Sequence, residues 1–222
     1  MLEIGCGNGL FWRANAGRIP AGWRITLSDF SEGMLDDARR AIGESVSGIE
    51  WRVVNAEAIP FDDNTFDIVV ANHMLYHIPD RKKAISEIRR VLKSGGTFYA
   101  TTMREGYMKE LGGLIREFFS LPPDRRAPGG VIANFSMENG AGQLREFFDG
   151  ADLLVYENSL AVTEAKPLLD YAVSLNGING ERWILEERYR EGLLKFLAGR
   201  IERDGAIAIP ADAGMFVCAK NA

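Results

Sequence analysis

Histidine and cysteine are scarce in this sequence. The two histidines, His73 and His77, and the two cysteines, Cys6 and Cys218, are too few and too spread for a structural zinc site or a disulfide framework, so no metal is expected. Two free thiols in a reducing compartment are the expectation. No apolar run is long enough to span a bilayer, and no signal-peptide pattern is visible, so a cytoplasmic protein without a membrane span is expected. Charge of one sign is also lacking. Lys and Arg number 26 against 31 Asp and Glu, giving a net charge of −5 that favours no polyanionic partner, and no nucleic acid is expected. The basic runs Arg125-Arg126 and Arg81-Lys82-Lys83 are short enough to be solvated surface. No internal repeat or low-complexity segment is present. What remains is 222 residues, 46% of them hydrophobic, enough for the packed core of one α/β domain with insertions.

The first two-fifths alternates short β-branched runs with helical patterns, which argues for a parallel sheet with crossover helices. Strands are expected at 1–4, 23–28, 49–54, 66–71 and 97–102, and helices at 10–17, 31–42 and 79–92. Ser31 can cap the second helix, on which Met34, Leu35, Ala38 and Ile42 share a face. Ile85, Ile88, Val91 and Leu92 form the inward side of the third, and Gly95-Gly96 stops it. Further along, helices are expected at 107–120, 137–148, 167–175 and 181–203, a Pro- and Gly-rich loop at 121–130, a sixth strand at 153–162 and a seventh at 213–219.

The segment with chemistry in it is Glu3-Ile4-Gly5-Cys6-Gly7-Asn8-Gly9, a strand running into glycines and then a helix. Such glycines let the backbone turn sharply and let a ligand approach the main chain. A dinucleotide fingerprint is G-x-G-x-x-G with pyrophosphate on the helix N-terminus. Here the spacing is G-x-G-x-G, the position for the last glycine holds Leu10, and Glu3 sets a negative charge near the loop. A carboxylate there is awkward for a pyrophosphate and compatible with a ligand that carries no phosphate and is itself cationic.

The phrase LEIGCGNG resembles motif I of the class I S-adenosylmethionine (SAM) dependent methyltransferases, in particular small-molecule enzymes of the UbiE type. Later segments resemble the family in order and spacing: Asp29-Phe30-Ser31-Glu32-Gly33-Met34-Leu35, Asn55-Ala56-Glu57-Ala58-Ile59-Pro60-Phe61, Phe66-Asp67-Ile68-Val69 leading to Asn72-His73, and Leu92-Lys93-Ser94-Gly95-Gly96. The resemblance covers residues 1–104 and implies that SAM is the cofactor. It implies that Glu3, Gly5, Cys6, Gly7 and Gly9 form the cofactor turn and that Asp29 grips the ribose hydroxyls. Phe30 and Met34 then line the adenine, and so do Asn55, Ala56 and Glu57. Asn72 and His73 lie under the methionine part, Asn72 presenting its backbone to the amino group. Asn55 replaces the family's Asp, and its amide carbonyl can still accept from the adenine amino group. The helices that usually precede motif I do not precede it here, so the chain is expected to start abruptly at its first strand.

Several of these residues have plainer readings. The glycines can be a tight turn, Asp29 a helix cap, Glu57 surface and Met34 packing. His77 is the candidate to orient or deprotonate an acceptor; otherwise it is a satisfied histidine at a helix start. Tyr76 has the same status. Tyr107, Trp183 and Tyr189 line a substrate cavity or belong to the core. The expected fold is α/β and Rossmann-like: one domain over 1–222 with a seven-stranded, mostly parallel sheet in order 3-2-1-4-5-7-6. The last strand is antiparallel, helices cover both faces, and helical cap insertions lie at 105–135 and 163–205. The expected enzyme is a SAM-dependent methyltransferase that transfers its methyl group in line to a small-molecule acceptor. The alternatives are a SAM-binding protein that transfers nothing for want of its N-terminal cover, an NAD-dependent dehydrogenase and a nucleic-acid methyltransferase.

Overall fold

The computed structural model describes residues 1–121, 130–174 and 186–221. They divide into two compact units. The first takes Met1–Thr102, Phe135–Val155 and Gly214–Ala222; the second takes Met103–Asn134 and Tyr156–Ala213.

The first unit is built on a seven-stranded sheet. Its strands are β1 (Leu2–Ile4), β2 (Ile25–Asp29), β3 (Ile49–Val53), β4 (Phe66–Asn72), β5 (Leu92–Met103), β6 (Asp152–Tyr156) and, at the end of the chain, β9 (Ala213–Ala219). The order across the sheet is β3-β2-β1-β4-β5-β9-β6, the order expected from sequence. β1 lies parallel between β2 and β4, with Glu3 beside Leu27 on one side and Val70 on the other. The β2–β3 and β4–β5 pairs are parallel too. β9 runs the other way: the Gly95 amide donates to the Lys220 carbonyl near the start of β5, and the Arg104 amide donates to the Asp212 carbonyl just past its end. The chain winds outward from β1 through β2 to β3, then returns to start again at β4. The carboxyl ends of β1 and β4 therefore bound the crevice where open α/β sheets take their ligands.

Helices α1 (Leu10–Asn15), α2 (Glu32–Ile42), α3 (Arg81–Val91) and α5 (Gly140–Arg145) complete this unit. α2 starts at Ser31, whose hydroxyl accepts from the Met34 amide as the sequence suggests, and it buries Leu35, Ala38 and Ile42. Met34 does not share that face. It is 45% exposed, because it sits about 100° round the helix from Leu35. α3 buries Ala84, Ile85, Ile88 and Val91, and it ends before the glycine pair, Leu92 being the first residue of β5.

The second unit contains α4 (Lys109–Phe119), β7 (Ser159–Val162), α6 (Ala165–Ser174), α7 (Glu187–Asp204) and β8 (Ile207–Pro210). β7 and β8 pair antiparallel in a sheet of their own, Leu160 opposite Ile209. The single strand expected at 153–162 is thus two strands in two sheets. Asn158 makes the break: its amide donates to the Asp212 carboxylate, its carbonyl accepts from the Ala211 amide, and its side chain accepts from the Ser159 amide. Leu111, Ile115, Leu193, Leu197 and Ile209 are buried together in this unit, with Tyr107 packed against them and Tyr189 edge-on to Phe119 at 5.0 Å. Trp183 and Ile184 lie outside the described residues, as do most of the loop expected at 121–130 and residue 175 of the expected helix at 167–175. Among the described residues no helix is long and apolar enough to cross a membrane.

Two glycines of the first turn do different work. Gly7 has φ +55° and nothing within 4 Å of where a Cβ would stand. Gly9 has φ +72°, and a Cβ there would lie 3.0 Å from both the Ala38 and Ile42 side chains and 3.1 Å from the Ala38 backbone. Gly7→Ala should cost about 1 kcal/mol, the penalty of a left-handed L-residue. Gly9→Ala should cost about 2–4 kcal/mol, because α1 and α2 must also move apart. Urea denaturation of both variants checks this, and equal losses would contradict the assigned packing.

Candidate cofactor site

At the carboxyl ends of β1, β2 and β4 the chain leaves a cleft of about 890 Å³. Its floor is the turn after β1. The Cys6 amide donates to the Ser28 carbonyl at 2.8 Å, and Ser28 Oγ donates to the Glu3 carbonyl at 2.7 Å, so β1 and β2 stay locked as they enter it. Asp29 closes β2 and uses both oxygens on the main chain: Oδ2 accepts from the Gly7 amide at 3.0 Å and Oδ1 from the Ser31 amide at 2.9 Å. One carboxylate thereby ties the glycine turn to the start of α2.

Thirteen of the fourteen site residues singled out from sequence line this cleft: Glu3, Gly5, Cys6, Gly7, Asp29, Phe30, Met34, Asn55, Ala56, Glu57, Asn72, His73 and His77. Gly9 is not in the lining; it serves the contact between α1 and α2. Sequence reasoning missed Leu10, Phe11 and Met74 in the lining. It also missed Trp12, which is buried and holds Glu3 from behind.

Glu3 is 2% exposed. Its Oε2 accepts from the Trp12 indole N–H, and its Oε1 accepts from Asn72 Nδ2 at 2.7 Å. Both donors are neutral. Burial pushes the Glu3 carboxyl up to about 7, against the pull of those two hydrogen bonds and with some help from the charge on Asp29. Burial beside the same two acids raises the Cys6 thiol to about 12, which leaves it protonated and unreactive.

His73 turns the chain out of β4 with φ +50°, its amide donating to the Thr101 carbonyl and hydroxyl. A left-handed histidine costs of order 1 kcal/mol or more, and such strain gathers at functional sites. His77 ends a short 3₁₀ turn, Leu75–His77, with its ring 4.6 Å from that of Tyr76. Desolvation lowers both imidazoles below the usual histidine range, so at neutral pH they are uncharged proton acceptors.

Asn55 and Glu57 are more committed than the sequence suggests. Asn55 Oδ1, expected free for an adenine amino group, accepts from the Glu57 amide at 2.9 Å, which leaves it one lone pair. Glu57 Oε1 accepts from the Asp80 amide at 3.0 Å, at the N-terminus of α3. α3 grips the same loop twice more. Glu87 accepts from the Ile59 amide, and Arg90 donates to the carbonyls of Ile59 and Phe61.

Among the described residues the lining holds three acids, Glu3, Asp29 and Glu57, and neither lysine nor arginine. Residues 2–100 match the family described as Methyltransferase domain. The likeness to that family is confined to those residues. Among methyltransferase relatives, it is 37% identical over 98 residues to the ubiquinone/menaquinone biosynthesis C-methyltransferase UbiE of Hydrogenovibrio crunogenus, an alignment that covers 43% of this chain and 39% of that one. The match therefore spans about two-fifths of that methyltransferase's length. The fold is also that of the YcgJ protein from Bacillus subtilis, with TM-score 0.62 and 17% identity over 100% of this chain and 91% of that one. Phosphoethanolamine N-methyltransferase 2 of Haemonchus contortus, solved with S-adenosyl-L-methionine, aligns with TM-score 0.56 and 21% identity over 100% of this chain and 48% of that one.

The raised Glu3 carboxyl has a stability consequence. Its folded pKa lies above its unfolded value, so the protonated form favours folding. That contribution is complete below about pH 4.5 and is lost as pH rises through about 7. The swing is of order 3 kcal/mol. Glu3→Gln loses an acceptor and is less stable than the parent in acid, and the deficit should shrink by pH 8. Thermal melts of both proteins across that range measure the gap; a gap independent of pH would show that Glu3 is ionised throughout.

Proposed function

We propose that this chain binds SAM in the cleft and transfers its methyl group to a small, hydrophobic acceptor. The observation that carries the reading is the charge of the lining: among the described residues it has three acids, a glycine turn, and no lysine or arginine to meet a phosphate. A dinucleotide brings two phosphates to such a turn; SAM brings a sulfonium and an ammonium. In this reading Asp29 turns its remaining lone pairs to the ribose hydroxyls. Phe30 and Met34, 76% and 45% exposed without a ligand, flank the adenine, with Asn55, Ala56 and Glu57 along its edge. Glu3, Asn72 and His73 face the methionine end.

The reaction is a displacement. An electron pair of the acceptor attacks the methyl carbon in line, the carbon–sulfur bond breaks toward sulfur, and a neutral thioether leaves. The sulfonium is already activated, so the protein must chiefly align the partners and exclude water. His77, uncharged and at the rim, takes the acceptor's proton where one must be lost. Leu10 and Phe11, 55% and 53% exposed on α1, supply apolar rim for the acceptor. A hydrophobic acceptor also fits the quinone-pathway name of the Hydrogenovibrio relative. We read the chain as a single methyltransferase domain with cap insertions, in the cytoplasm.

Isothermal titration with SAM and with NADH tests the first step, and transfer of labelled methyl to a panel of hydrophobic small molecules tests the second. SAM should bind and NADH should not. Asp29→Ala should weaken SAM about 10–100-fold, the worth of hydrogen bonds to a charged group. Uptake of NADH in place of SAM would overturn the reading, and SAM binding with no turnover on any acceptor would favour a protein that binds without transferring.

A further inference from the structure

We propose that Glu3 selects the ligand of this cleft by charge, giving up a proton when a cationic nucleoside binds and keeping it when a neutral one does. The inference rests on the SAM reading and adds to it a specificity-determining residue and a proton.

The geometry is that of a buried carboxyl without a counter-charge. Glu3 is almost wholly removed from solvent yet contributes to the cleft wall. α1 presents the Trp12 indole to it and β4 presents the Asn72 amide; both donate hydrogen bonds and neither carries charge. The titratable groups that face it are Asp29 from β2, whose negative charge opposes ionisation, and the Cys6 thiol from the turn, itself held protonated. His73 and His77, elsewhere in the same wall, are uncharged at neutral pH and have no proton to release. Among the described residues no lysine or arginine lines the cleft. An isolated carboxylate in such a place is costly, so the empty site keeps the proton for a good part of the time. Its value of about 7 agrees with this.

A cation entering the cleft supplies the missing partner. The balance is simple: carboxylic acid plus cation gives a carboxylate–cation pair and one proton to the buffer, with no electron transferred. A neutral nucleoside of the same shape offers nothing to pair with, and the carboxyl stays as it was. Selectivity for the cation therefore grows as pH rises toward and past neutrality, until Glu3 is ionised in the empty protein as well.

The test is calorimetry of the full chain at pH 7 in buffers of different ionisation enthalpy, with SAM and with uncharged 5′-methylthioadenosine. Wild-type protein should release roughly half a proton per SAM bound and none per methylthioadenosine, and SAM should bind roughly eightfold tighter at pH 7.5 than at pH 6. Glu3→Gln should still bind SAM but lose both the released proton and that pH dependence, whereas any proton from the ligand's own amine would persist. Equal release by wild type and Glu3→Gln, or none by wild type, overturns the inference. Should Glu3→Gln fail to fold, the two ligands on wild-type protein decide it, together with loss of the buried carboxylic-acid infrared band when SAM is added. Failure of SAM to bind at all would instead sink the functional reading.

Discussion

The hydrogen bonds that Trp12 and Asn72 give to Glu3 join three pieces of chain: the helix after the glycine turn, the first strand and the fourth. They do so just below the point where the sheet changes winding direction. β1 is only three residues long, and these bonds add to those of Cys6 and Ser28 in fixing how the turn leaves the sheet. Asp29 completes the arrangement from the other side by binding the Gly7 and Ser31 amides. The two acids thus act as structural ties.

Much of this was legible in the sequence. The strand–glycine–helix passage, the acid at the end of the second strand and the helix capped by Ser31 are local signals, and local signals survive folding. The spacing of the glycines also separated this turn from a dinucleotide loop. The partnership of Trp12 with Glu3 was not legible, because nothing in a short apolar helix says which way its indole will point. Met34 was misread for a related reason. Positions 34, 35, 38 and 42 span a wide arc, and only packing decides which edge of the arc stays outside. The strand expected over 153–162 hid a break that Asn158 should have signalled, since asparagine readily trades strand pairing for side-chain bonds to its own backbone.

The brace between Asn55, Glu57 and α3 gives the cleft a stiff rear edge. The Asn55 side chain holds the Glu57 amide, the Glu57 carboxylate holds the Asp80 amide, and Glu87 and Arg90 hold the loop on its far side. His77 and Pro79, also in the lining, come just before α3, so one helix borders both the Asn55–Glu57 loop and the His77 turn. A residue expected from the family pattern to contact a ligand turns out to be a strut.

The second unit enters the chain in two excursions, one leaving the end of β5 and one lying between β6 and β9, and it has its own two-stranded sheet and its own buried cluster. That cluster shares no residue with the glycine turn, Asp29 or the α3 brace. Evolution can therefore revise one half of the chain while the other stays under constraint. Natural variants of this protein should drift at two speeds along one polypeptide, the changeovers falling near residues 102, 135, 155 and 214.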